Sequence, residues 1–138
     1  MPKSHHISAK YHQKLAFNAQ IDNYVLPMDT TDEQSIGFGP SPKKMMLAAL
    51  AGCTGIDVVS ILNKMKVAFT DFSIDIDAQL TEEHPVIYEN VNIIYTIKVE
   101  QADRPKMEKA VSLSKEKYCG VSAMFSHFAK VNFKIDFL

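Results

Sequence analysis

Cysteine occurs only twice in the 138 residues, at Cys53 and Cys119. Two thiols are too few for a disulfide-stapled scaffold or a four-cysteine zinc site. No excess of one charge exists either: 15 lysine and arginine residues face 16 acidic ones, for a net charge of -1. Without a basic field, nucleic acid is not an expected partner. No apolar stretch follows the basic residue in Met1-Pro2-Lys3-Ser4-His5-His6, so no secretory signal is expected there. The longest apolar run, Met45 to Ala51, falls far short of a bilayer span, and no membrane partner is expected. Internal repeats and low-complexity tracts are absent. A cytoplasmic location follows as the expectation, where thiols stay reduced and a disulfide is transient or catalytic.

What is present suits an ordinary folded protein. Hydrophobic residues make up 46% and charged residues 22%, enough for one domain over residues 1–138 with a real core. Residues 1–9 are expected to be a flexible tail. Tyr11, Leu15, Phe17 and Ala19 share one face of an alternating run that predicts a strand, and Asp22-Asn23 turns it into a second, Tyr24 to Met28. Thr30 to Pro42 holds two glycines and two prolines and predicts a loop. Ser41 is placed to cap a long helix, with Pro42 in its first turn. From Met45 to Met65 that helix is apolar on nearly every side, the pattern of a buried helix. At about 25 residues it reaches roughly 37 Å, more than one small subunit covers, so a dimer is expected.

The second half alternates strictly. Phe72, Ile74, Ile76, Ala78 and Leu80 predict one strand, and Val91, Ile93, Tyr95, Ile97 and Val99 predict its antiparallel partner. Asp103 is expected to cap a helix carrying Met107, Ala110 and Val111, with Gly120 ending it. A short helix from Val121 to Phe128 and a strand from Val131 to Phe137 complete an α+β order.

Chemistry rests on the thiols. A cysteine reacts as its thiolate, so its surroundings decide. Mid-helix Cys53 gains no dipole, and its same-face neighbours include Met46, Ala49, Leu50, Ile56 and Asp57. Locally that favours inert packing. Cys119 precedes a short helix whose free N–H groups point back towards it, although a small residue at a helix corner fits equally. Lys43 and Lys44 occupy the first turn of the long helix, where cations are unfavourable. The five histidines have no ligand spacing, and no metal site or cofactor is expected. Gly37-Phe38-Gly39-Pro40 lacks the preceding strand that a nucleotide loop needs.

Gly39-Pro40-Ser41-Pro42, followed by the run from Leu47 through Gly52-Cys53-Thr54-Gly55-Ile56-Asp57 to Leu62, closely resembles the first signature of the OsmC/Ohr family. Glu116-Lys117-Tyr118-Cys119-Gly120-Val121-Ser122-Ala123 resembles the second. The similarity covers nearly everything after residue 10 and is greatest to the OsmC-like redox proteins. It implies an α+β fold with antiparallel sheets packed on a long central helix, in an intertwined homodimer with sites at the interface. It also implies that Cys53 is the peroxidatic and Cys119 the resolving thiol. The implied partners are a small organic or hydrogen peroxide and a dithiol reductant, which is lipoyl-linked in the better-known relatives. The chain departs from the active enzymes in two places. Their N-terminal arginine has no counterpart, since the lone arginine is Arg104, and their early-helix glutamate falls where Lys43-Lys44 stand. The alternative implied by those losses is a non-catalytic dimer that senses thiols or binds an apolar ligand.

Overall fold

The computed structural model describes residues 3–138; the first two residues of the expected tail lie outside them. The elements run β1 Ser8–Tyr11, β2 Phe17–Ile21, β3 Tyr24–Met28, α1 Pro42–Lys64, β4 Phe69–Leu80, β5 Tyr88–Val99, α2 Arg104–Leu113, α3 Gly120–Ser126 and β6 Lys130–Phe137. A π-helical turn, Ser114–Tyr118, joins α2 to the α3 region. The fold is α+β, with two three-stranded sheets ordered β1-β2-β3 and β4-β5-β6. The chain divides into two compact units, one ending at Leu47 and the other beginning at Ala48.

In the first unit, the alternating run expected as one strand is folded into two. The His12 amide donates to the Ala16 carbonyl at 2.9 Å, and the Ala16 amide to Gln13 at 2.8 Å. Lys14 takes a left-handed φ of 52° to make this reversal. Tyr11 then pairs with Phe17, their rings meeting edge-on at 5.6 Å. Alternation reports extended backbone and is blind to a tight turn that keeps its phase. The expected tail also ends sooner, because Ser8 and Ala9 pair with Gln20 and Ala19.

Residues 30–40 form an ordered loop around Asp29, which is buried. Its carboxylate accepts from the amides of Thr30 at 2.7 Å, Ile36 at 3.0 Å and Phe38 at 3.2 Å, and from the Ser35 hydroxyl at 3.2 Å. Burial alone would raise its pKa, but those hydrogen bonds win and hold it below the ordinary carboxylate value. Gly39 passes so close to the Pro27 carbonyl that any Cβ would collide with it.

Helix α1 starts as its sequence predicts. The Lys44 amide donates to Ser41 Oγ at 3.2 Å, and Pro42 is the first helical residue. Its end uses a residue that propensity disfavours. Lys66 adopts φ 58°, so the Lys66 amide reaches the Asn63 carbonyl and the Val67 amide reaches Leu62. This paired closure satisfies the last carbonyls and seats buried Val67 against the helix end beside Leu62. Within the chain, however, α1 is not buried all round. Only Leu50, Thr54, Val58 and Leu62 are buried, a single stripe four residues apart, while Ile56 is 72% exposed. At 23 residues the helix is long and apolar enough to cross a bilayer by length and composition, a property the short run Met45 to Ala51 does not reveal. Its buried stripe instead packs into the protein.

The second unit is built on β5. Strands β4 and β5 pair antiparallel as expected, with Ile74 opposite Tyr95 and Ile76 opposite Ile93. Strand β6 runs parallel to β5, so the expectation of antiparallel sheets is corrected there. The crossover through α2 and α3 is long enough to return the chain in the same direction, which a short turn cannot do. Val91, Ile93, Tyr95, Ile97 and Val99 are all buried on one face of β5, with Met107, Ala110 and Val111 of α2. Helix α1 meets this sheet where a Cβ on Gly55 would lie 3.1 Å from Ile74. Asp103 precedes α2 but makes no side-chain cap; its carboxylate pairs with Lys106 at 3.6 Å.

Candidate functional site

Thiols distant in sequence meet here by two different routes. Cys53 lies on α1, one residue before Thr54 of the buried stripe, and stays partly exposed. Cys119 is delivered by the π-helical turn, whose wide loop closes when the Cys119 amide donates to the Ser114 carbonyl at 2.8 Å. Such turns interrupt regular helices and often mark functional positions. Cys119 then becomes extended and caps α3, its Sγ accepting from the Ser122 amide at 3.3 Å. The helix therefore breaks at Cys119, and Gly120 opens the next helix rather than ending the previous one.

The structure brings Cys53 and Cys119 together with Asp57, one turn along α1 from Cys53. The two Sγ atoms and an Asp57 carboxylate oxygen all lie within 4.8 Å of one another. Cys119 is the deeper thiol at 3% exposure, the reverse of what a mid-helix position for Cys53 suggests. The expected activation of Cys119 by helix N–H groups is also outweighed. Burial first, and then a hydrogen bond with Cys53, push its pKa up to about 11 against the lowering from the Ser122 amide. The Asp57 charge acts in the same upward direction.

Behind the sulfurs runs a chain of hydroxyls. Thr54 Oγ1 lies 2.6 Å from the Tyr95 hydroxyl and 2.8 Å from Ser114 Oγ, and Ser114 Oγ lies 3.2 Å from Asp57 Oδ2. Thr54, Tyr95 and Ser114 are essentially inaccessible to solvent. The direction of the chain follows from counting protons. A carboxylate only accepts, so Ser114 gives its one proton to Asp57 and must accept from Thr54. Thr54 in turn gives its proton to Ser114 and must accept from Tyr95. Within this chain every hydroxyl both donates and accepts once except Tyr95 at the head, which only donates. Burial raises the Tyr95 pKa above its ordinary value, Thr54 offsets part of this, and the charges of Cys119 and Asp57 add to the rise. Sequence reasoning singled out Asp57 only as a neighbour of Cys53. It missed Thr54, Ser114 and Tyr95. The spacing of Thr54 and Asp57 on α1 was a visible signal; Ser114 and Tyr95 offered none, since β5 and the π-helical turn meet α1 only in the folded chain.

The two sulfurs and the carboxylate form the one group of three potential metal ligands found among the described residues. A cation there would bind the sulfurs as thiolates, a deprotonation that the burial of Cys119 opposes. Arg104 is engaged elsewhere, its guanidinium 4.9 Å from the centre of the Phe137 ring. A cavity of about 400 Å³ bordered by Asp57, Lys64, Lys109, Leu113 and Tyr118 opens beside the carboxylate. A second, apolar groove of about 590 Å³ runs along the exposed side of α1, between Gly52, Ile56, Val59 and Phe72.

Known proteins share both sequence and fold with the chain. A family model described as OsmC-like protein matches residues 31–134. Protein YhfA of Escherichia coli K12 is 36% identical over 93 residues, which span 67% of this chain and 69% of that protein. The crystal structure of the OsmC like protein from Mycoplasma pneumoniae superposes with a TM-score of 0.85 at 12% identity, over 100% of this chain and 99% of that one. The organic hydroperoxide resistance protein OhrB of Bacillus subtilis superposes with a TM-score of 0.65 at 16% identity, over 97% and 98% of the two chains. At these identities the two structural likenesses speak for the fold alone.

Proposed function

The chain belongs to the OsmC-like protein family, and from that premise we propose that it is a thiol redox protein reducing organic or hydrogen peroxides through Cys53 and Cys119. The convergence of both sulfurs within 4.8 Å carries this reading, because rotation of two side chains then closes a disulfide. Cys53 is the peroxidatic thiol, being the more accessible of the two. Its thiolate attacks the distal peroxide oxygen and becomes a sulfenic acid, releasing alcohol or water once the departing oxygen is protonated. Cys119 displaces the sulfenic hydroxyl as water and forms the disulfide. A dithiol reductant reopens it by exchange and leaves as its own disulfide. A reducing, cytoplasmic setting suits a pair that must return to thiols.

The loss of the arginine and glutamate sets the expected efficiency. Deleting one preorganised donor at a charged reaction centre typically costs about 10²–10³ in rate, so turnover is slow. A second copy of the chain covers the exposed apolar side of α1, where Ile56 stands 72% exposed. Sedimentation that finds only monomer at micromolar concentration would refute the homodimer. For the chemistry, cumene hydroperoxide consumption with a dithiol is followed by stopped flow. Cys53→Ser is expected to abolish it; equal rates in variant and wild type would sink the enzyme reading. The apolar groove along α1 favours a second reading, a non-catalytic dimer that senses thiols or binds an apolar ligand. Stoichiometric oxidation without turnover, or apolar ligand retained through purification, would select it.

A further inference from the structure

The resolving step poses a proton problem that the peroxidatic step does not. Cys119 must lose its thiol proton as it attacks, while the oxygen leaving Cys53 must gain one. Neither sulfur can do both. The group that serves this exchange must reach both sulfurs, and Asp57 lies within 4.8 Å of each. It sits one turn from Cys53 on the same helix, so its place beside that sulfur is set by the backbone.

We propose that Asp57 is a catalytic acid–base residue that carries the Cys119 proton to the oxygen leaving Cys53, held in position by the Tyr95–Thr54–Ser114 hydroxyl chain. This rests on the peroxidase reading above. In the step, the Cys119 Sγ–H bond and the Cys53 S–O bond break, and the Sγ–Sγ bond and one O–H bond form. The thiol sulfur is oxidised and the sulfenic sulfur reduced, both to the disulfide level. Water leaves with the proton that Asp57 relays, so the carboxylate is regenerated and no other reactant is needed beyond the hydroperoxide that formed the sulfenic acid.

Three observations support the assignment. Separations up to 4.8 Å are spanned directly after a side-chain rotation or through one water, the usual reach of a proton-transferring group. The cavity of about 400 Å³ bordered by Asp57 and Tyr118 gives the carboxylate itself access to water. The third is the polarity of the hydroxyl chain. With each hydroxyl donating towards Asp57, one carboxylate oxygen is fixed by Ser114 at 3.2 Å, and the remaining lone pairs are left for the sulfurs. A carboxylate that kept the thiol proton would make a poor base, since Cys119 stands near a pKa of 11. One that passes it on to a departing hydroxide works downhill overall.

The test separates the two half-reactions in the full-length protein. In Cys119→Ser, the rate of Cys53 sulfenic acid formation from cumene hydroperoxide is read by dimedone trapping, with and without Asp57→Asn. In chains with both cysteines, disulfide closure is read by quenched alkylation. Asp57→Asn is expected to slow closure about 100-fold, the lower end for general acid–base catalysis, and to change sulfenic acid formation less than about 3-fold. Ser114→Ala, which frees the carboxylate, is expected to slow closure about 10-fold while leaving the fold intact by circular dichroism. Unchanged closure in Asp57→Asn, or equal slowing of both half-reactions, would overturn the inference while leaving the peroxidase reading standing. Absence of any sulfenic acid in Cys119→Ser would overturn the reading itself. If Asp57→Asn does not fold, the solvent isotope effect on wild-type closure decides: about 2 or more supports proton relay at this step, and a value near 1 refutes it.

Discussion

Replacing Thr54 by valine removes one hydroxyl from the buried chain while nearly preserving side-chain shape. The methyl fills the vacated space, so no cavity term enters. Two hydrogen bonds are lost, at 2.6 Å to Tyr95 and 2.8 Å to Ser114. Ser114 still donates to Asp57 and forfeits only an incoming proton. Tyr95 fares worse. It is 1% exposed, and its hydroxyl proton is left without an acceptor, a penalty of about 1–3 kcal/mol. Thr54→Val is therefore expected to destabilise by about 2 kcal/mol. Tyr95→Phe leaves Thr54 donating to Ser114 and loses one hydrogen bond, for about 1 kcal/mol. The double variant removes donor and acceptor together, leaves no orphan at Tyr95, and should cost about 1 kcal/mol in all. The coupling is then about 2 kcal/mol, far from additivity. Urea unfolding at one fixed protein concentration, with the slope unchanged, measures all four corners of the cycle. Additivity within about 0.5 kcal/mol would refute the proton ordering assigned to this chain.

Two further outcomes follow from other parts of the molecule. The folded state holds the Cys119 pKa up near about 11 from an ordinary 9.0, so the protonated thiol stabilises the fold fully below pH 9. That contribution is lost as pH rises from about 9 to about 11. Because Tyr88 and Tyr95 are also raised, the comparison is with Cys119→Ala: the urea midpoint of wild type should fall more steeply through this window, and parallel curves would contradict the burial argument. In the first unit, Gly39→Ala drives a methyl into the Pro27 carbonyl and should cost at least about 1 kcal/mol, lowering the thermal midpoint; an unchanged midpoint would mean the loop yields without strain.

The sequence carried much of this on its face. Ser41-Pro42 announced the start of α1, and the alternation from Phe72 to Leu80 and from Val91 to Val99 announced β4 and β5, because caps and two-residue periodicity are local physics. Elsewhere local physics was insufficient. The run from Tyr11 to Gln20 kept its phase through a turn, and Lys66 closed α1 in a left-handed conformation that lysine rarely prefers. Asp103 looked like a cap and became half of an ion pair, since a side chain free to choose partners is settled by what the fold places nearby.

For the site, residue types and motif order sufficed to nominate Cys53 and Cys119 and the family. Which thiol is deeper, that burial raises the Cys119 pKa, and that Thr54, Tyr95, Ser114 and Asp57 form one directed chain were decided only by the tertiary structure. The reason is physical. Burial and hydrogen-bond direction depend on atoms from α1, β5 and the π-helical turn at once, and no single stretch of the polymer contains all three.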